Sequence, residues 1–154
     1  MNPEGNLSEP DSVEIEVRPG TPADHPFVGA SWLKCLWKNS PFAKGVAHDT
    51  FFAHHKPLVE RALVRASVLV AHPHGDPDTI VGYLVHEAAA DGRACVQWVY
   101  VRAPWRRVGI ARRLLQAARL DLSKAFYTLA SYDAAPLLRK YPGLEANPYL
   151  HLLG

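Results

Sequence analysis

The chain reads as a mixed α/β domain, with a mostly antiparallel central sheet of about six to seven strands and helices on both faces. Three strand-like runs follow one another closely, at 67–71, 79–87 and 94–102, with turn residues between them. A basic amphipathic segment at 109–122 then separates the third run from a further apolar run at 126–130, the layout of a β-α-β unit. Two helical patterns precede the meander without interrupting it. A meander that feeds a crossover needs both antiparallel and parallel pairing, with cover on each side of the sheet.

The elements follow in order. Residues 13–17 alternate apolar and acidic, as a half-buried strand does, until Arg18-Pro19-Gly20-Thr21-Pro22 breaks the run. Asp24 is the expected N-cap of a helix reaching about Lys38, with Val28, Trp32, Cys35 and Leu36 on its inner face. Residues 42–56 have no clean periodicity, because Phe42, Phe51 and Phe52 are interleaved with Lys44, His48, Asp49, His54 and His55. Pro57 suits a helical first turn, so a second helix is expected over 57–66. The meander follows, with turns at residues 73–77 and 90–92. After the basic helix come a strand at 126–130, a short helix at 134–140 and a last strand at 144–152, interrupted by Pro148.

The bulk properties narrow the class. A chain of 154 residues fits one domain, expected here over 13–154, with the polar residues 1–12 as a disordered leader. A formal charge of +2 is too small to imply a nucleic-acid partner by itself. No stretch approaches the roughly 20 apolar residues that span a bilayer, so no membrane partner is expected. The two cysteines, Cys35 and Cys95, lack CxxC spacing, which favours reduced thiols and a cytoplasmic setting over a disulfide framework.

The chemistry concentrates between Val99 and Leu115, where a strand gives way to a basic loop with one glycine and then to a helix. The first turn of a helix leaves backbone N–H groups unpaired and carries a partial positive charge, so it attracts phosphate. Gly109 lets the backbone approach an anion without a Cβ in the way, and Ala111 does nearly the same. Arg106, Arg107 and Arg112 can add charge-assisted bonds. A packing role competes with this reading, since Ile110, Leu114, Leu115 and Ala118 would cover a sheet whatever the loop does. A nucleic-acid face also competes, because six arginines fall between Arg102 and Arg119 with no acid among them. Few aromatics accompany them, which counts against that face.

The segment resembles the GNAT superfamily of N-acetyltransferases. Its signature, Arg/Gln-x-x-Gly-x-Gly/Ala at a strand-to-helix junction, reads here Arg106-x-x-Gly109-x-Ala111, with Val101 five residues before Arg106. The opening Val17-Arg18-Pro19-Gly20-Thr21-Pro22-Ala23-Asp24 is similar to the family's first strand and helix entry, and the element order matches across 13–152. The resemblance implies acetyl-CoA as co-substrate and no metal. It places the diphosphate on the amides from Arg107 through Val108, Gly109, Ile110 and Ala111 to Arg112. It also implies that the fourth strand splays from the fifth, with the pantetheine arm bonded to the backbone of Val99 and Val101 and the acetyl carbonyl near Val99 or Tyr100. The reaction implied is direct attack by a primary amine in a ternary complex.

The catalytic residues match less well. The family commonly carries a Glu or His base on the fourth strand, where this chain has Cys95 and Gln97. Glutamine does not titrate, and nothing in the sequence activates the thiol. His86 and Glu87 on the neighbouring strand are the candidate bases, followed by Asp49 and His54. Tyr141 is the candidate acid for the departing thiolate, although it lies two residues from the family's usual spacing before Gly143, and Tyr132 is the runner-up. His54, His55, His72 and His74 have no spacing typical of a zinc site. The resemblance assigns the acceptor pocket to residues 32–55, with Trp37, Phe42, Phe51 and Phe52. The acceptor amine is not readable, and the missing strand base leaves a non-catalytic acyl-CoA sensor as the alternative. The final strand, 144–152, would offer an edge for homodimer pairing.

Overall fold

The structure is a computed structural model that describes residues 13–106 and 108–153. The expected leader at 1–12 and the proposed phosphate contact at Arg107 lie outside the described residues. Among the described residues, six strands form one sheet in sequence order: β1 (Ile15–Pro19), β2 (Ser67–Pro73), β3 (Gly82–Ala88), β4 (Ala94–Val101), β5 (Phe126–Tyr127) and β6 (Glu145–Ala146). The first four pair antiparallel, as a meander must, and β5 and β6 join parallel. The register of β3 on β4 breaks once. Val85 faces Trp98 and His86 faces Val96, so Gln97 is the extra residue of a β-bulge. Gly82 is required where it stands, because a Cβ there would lie 2.8 Å from the Tyr100 carbonyl oxygen.

Two helices cover one face. α1 (His25–Asn39) buries Val28, Trp32, Leu33, Cys35 and Leu36, the stripe expected from its periodicity. Asp24 is the N-cap residue, as expected, but its side chain makes no capping bond to the helix. Its carboxylate is held by both terminal nitrogens of Arg18, at 2.8 and 2.9 Å, and by the Thr21 amide at 2.8 Å. The Arg18 guanidinium is the main cause of a carboxyl pKa near 2, with burial opposing it. α2 (His48–Arg65) is much longer than the expected 57–66. Its buried positions Phe51, His55, Val59, Ala62 and Leu63 form one continuous stripe, and His55 is the polar member that hides the pattern. Pro57 lies inside this helix; the carbonyl it strips of a donor belongs to Ala53, which is exposed and open to water. These helices pack with Val68, Val70, Tyr83, Val85 and Trp98 in the larger core.

The opposite face is covered by α3 (Ile110–Ala118), whose Ile110, Leu114 and Leu115 pack on Ile15, Ala71, Val81, Leu84 and Val96. It ends earlier than the expected 122, because Arg119 turns into the left-handed region at φ 55°. The expected strand at 126–130 pairs over only two residues. α4 (Ala135–Lys140) sits close to its expected place. The strand expected over 144–152 is corrected: only Glu145 and Ala146 pair, and α5 (Tyr149–Leu152) follows Pro148. The expected dimer edge therefore shrinks to two exposed residues at β6.

Candidate functional site

The bulge opens the site. β4 and β5 pair only at Cys95–Phe126 and Val96–Tyr127, with one further bond of 3.2 Å from the Thr128 amide to the Val96 carbonyl. Gln97 is fully buried and pinned. Its Nε2 donates to Glu87 Oε2 at 2.8 Å and to the Leu150 carbonyl at 3.2 Å, and its own carbonyl accepts from Thr128 Oγ1 at 3.0 Å. Beyond this point the strands part, and their separation forms an open groove with about 650 Å³ of free volume. That is ample for part of an extended small ligand.

One wall is the edge of β4 at Val99, Tyr100 and Val101, continued by Arg106 and by Gly109, Ile110, Ala111 and Arg112 at the start of α3. The other is Ser131, Tyr132, Asp133, Ala134, Pro136, Leu137 and Lys140. Cys35 of α1 also lines the groove. A narrow apolar slot continues between the strands to Gln97 and Trp98, sharing Val99, Ser131, Ala134 and Leu137 with the groove. Trp98 is braced from behind by Trp32, with ring centroids 6.2 Å apart.

Gly109 adopts φ 85° and ψ 15° at the N-terminus of α3, a conformation that side chains with a Cβ resist. A Cβ built there would meet nothing within 4 Å, so it would project into open space at the mouth of the groove. The first backbone bond of α3 runs from the Arg113 amide to the Gly109 carbonyl at 3.0 Å. The amides of Ile110, Ala111 and Arg112 therefore have no partner within the helix. They lie at the groove with the Arg106, Arg112 and Lys140 side chains, which makes that end of the groove cationic. Arg106 spans the opening: its Nε donates to the Val101 carbonyl at 2.9 Å, and its Nη1 lies 3.3 Å from Asp133 Oδ2.

The groove does not gather the residues expected to catalyse. Tyr141 packs against the second core, with Lys140 Nζ 5.9 Å from its ring centroid, and is absent from the groove walls. Tyr132, the runner-up, does line the groove and is 59% exposed. Glu87 is spent on structure, since its Oε1 accepts from Arg65 Nε at 2.8 Å and its Oε2 from Gln97. His86 opens onto a separate cleft with Asp91, Arg93, Arg119 and Lys124, and burial lowers its pKa. Asp49 is exposed and bonded to His48 at 3.0 Å. His54 is exposed, whereas His55 is buried with its Nε2 2.9 Å from that of His151. Burial, helped by the nearby Glu87 charge, pushes the Cys95 thiol up to about 12, and burial also raises Cys35.

Sequence reasoning missed Cys35, Ser131, Asp133 and Lys140 at the groove. The last three follow β5, and a polar Ser-Tyr-Asp run after a strand is the kind of loop that carries function. Among the described residues, no group of three or more His, Cys, Asp or Glu side chains could hold a metal, and no helix is long and apolar enough to cross a membrane.

No protein-family model matches the chain, and no curated protein matches it by sequence. Solved structures do. A Corynebacterium glutamicum acetyltransferase related to histone acetyltransferase HPA2 superposes with a TM-score of 0.59 at 17% identity, over 82% of each chain. A protein from Desulfovibrio desulfuricans assigned to the GNAT family of acetyltransferases superposes with a TM-score of 0.53 at 18% identity, over 84% of this chain and 82% of its own. A bulged, splayed fourth strand beside a glycine-started helix, on a sheet shared with such neighbours, gives this chain the fold of the GNAT N-acetyltransferases.

Proposed function

We propose that the protein is an N-acetyltransferase that moves the acetyl group of acetyl-CoA onto a primary amine. The observation that carries this reading is the groove itself, which joins an exposed β4 edge to a helix N-terminus started by a left-handed glycine. Both ends of such a groove have a use. The amides from Val108 to Arg112 leading into α3, with the Arg106, Arg112 and Lys140 side chains, suit a diphosphate. The backbone of Val99 and Val101 suits the amide-bearing pantetheine arm, and the slot toward Gln97 and Trp98 suits the short acyl end, with its carbonyl near Val99, which lines both groove and slot. Acetyl-CoA supplies an acyl group already activated as a thioester.

The chain's own residues then orient the reactants and handle protons. The thiol that lines the groove, Cys35, is held protonated by burial, which supports direct attack by the amine over an acyl-cysteine route. The attacking nitrogen gains the acetyl carbon and loses a proton, while the carbon–sulfur bond breaks and the thiolate takes a proton. Tyr132 is the groove's exposed phenol and the best-placed donor for that sulfur. The bland side chain of Gln97 at the strand position where a base is common favours one second reading, a domain that binds acyl-CoA without turnover.

Thermal denaturation with CoA, followed by thiol release from acetyl-CoA with a panel of primary amines, separates the two. Stabilisation with turnover is expected. Stabilisation with no turnover on any amine would move the protein to the second reading, and no stabilisation would end both.

A further inference from the structure

Asp133 is the only carboxylate among the described residues that line the groove, and it is out of place there. A negative side chain on the wall of an anion-binding cleft repels the ligand unless something neutralises it. Arg106 does so, from the opposite wall. Its guanidinium is tethered to the Val101 carbonyl at 2.9 Å and reaches Asp133 at 3.3 Å, so one side chain bridges β4 and the turn before α4. The bridge is exposed, with side-chain accessibilities of 38% and 53%, and an exposed pair of this kind is worth no more than about 1 kcal/mol. A diphosphate offers Arg106 a doubly charged partner a few residues away, at the α3 N-terminus, and can open so weak a bridge.

We propose that Asp133 is the specificity residue that receives the ammonium of the acceptor, and that Arg106 masks it until the diphosphate of the acyl carrier draws the guanidinium away. The inference rests on the acetyl-CoA reading above. Three features support it. The carboxylate lines the same groove as Tyr132 and Tyr100, and Arg106 links it to the Val101 carbonyl at the end of β4. It carries no other charged partner among the described residues. Removing Arg106 from it leaves one negative group in a groove whose other charged residues, Arg106, Arg112 and Lys140, are cations, and so, among the described residues, the only charge there that attracts a positively charged acceptor.

The test uses the full-length protein with CoA and n-butylamine, whose alkylammonium is common to a lysine side chain and a polyamine end. CoA binding is followed by calorimetry and butylamine binding by ligand-observed NMR, each in wild type and in Asp133→Asn. Wild type is expected to bind butylamine at least about fivefold more tightly when CoA is bound. Asp133→Asn should lose that gain while binding CoA as tightly as wild type or several-fold more tightly. Glu in place of Asp133 should restore the gain. An equal gain in Asp133→Asn, no gain in wild type, or weaker CoA binding by the variant would overturn the inference and leave the acetyl-CoA reading standing. Failure of both proteins to bind CoA would remove the reading and the inference together.

Discussion

Gly109 is the residue at which backbone geometry and ligand binding can be pulled apart. Its φ of 85° lies in the left-handed region, where a residue with a Cβ costs roughly 1–2 kcal/mol. A Cβ there collides with nothing, so that cost is conformational and not steric. For a domain of this size each kcal/mol moves the melting temperature by roughly 2–4 °C, so Gly109→Ala should melt roughly 2–8 °C lower. Gly109→Trp should suffer a similar loss, because the indole also begins in open space. The two variants should differ in their response to CoA. At a hundredfold excess over Kd, a ligand stabilises by ~2.7 kcal/mol, which raises the melting temperature of wild type by about 5–10 °C. The tryptophan fills the mouth of the groove and should abolish that rise, while the alanine should keep part of it. The assay is a thermal melt of all three proteins with and without CoA. Undiminished stabilisation of Gly109→Trp by CoA would refute the placement of the diphosphate at α3. An alanine variant as stable as wild type would refute the conformational argument.

Three further outcomes are expected. Tyr132→Phe should slow thiol release with CoA affinity unchanged, whereas Tyr141→Phe should leave the rate alone, because its ring packs in the core; equal rates for Tyr132→Phe and wild type would remove the phenol from the chemistry. Glu87→Ala should lower stability by roughly 1–3 kcal/mol, since it strips partners from Arg65 and from the buried Gln97, and leave CoA affinity intact in a calorimetric titration. The His55–His151 pair should make the protein acid-sensitive. Burial lowers His55 to about 4, and burial first, then the neighbouring His55, Arg65 and Arg61, lower His151 to about 3. The unfolded chain takes up protons near pH 6.5, so it binds more of them than the folded chain below that pH, and stability is lost as pH falls toward 4. The slope is at most about 1.4 kcal/mol per pH unit for each ring. The double variant His55→Leu, His151→Leu should flatten urea-measured stability between pH 6.5 and 4.5, and an unchanged slope would contradict the assignment.

Local signals were legible in the sequence, and long-range ones were not. The meander, the crossover and the phosphate-attracting start of α3 each lie within a short stretch, so periodicity and one glycine reveal them. The first half of α2 was hidden because its buried stripe passes through His55, a polar residue satisfied by His151 from the far end of the chain, 96 residues away. Pro57 imitated a helix start for the same reason. The last strand was misread because Leu150 and Leu152 alternate like a strand, while Pro148 and the carbonyl bond from Gln97 to Leu150 hold the segment as a turn of helix. Asp133 and Lys140 belong to the groove only because β5 ends its pairing after two rungs, and no local pattern records that. Tyr141 rests on the family's spacing with a two-residue offset, and its half-buried ring packs against the second core instead of lining the groove.

The unopposed glutamine of β4 also fixes which way the rest of that strand looks. In an unbroken strand Trp98 would share a side with Val96; here Val96, Val99 and Val101 belong to the α3 side while Trp98 and Tyr100 belong to the α1–α2 side. A single inserted residue has swapped the parity of everything after it. Removing Gln97 would therefore leave Val96 and Trp98 alternating as ordinary neighbours, with every later side chain still on its present side, so the strand would keep its two faces and lose the irregularity at which it parts from β5.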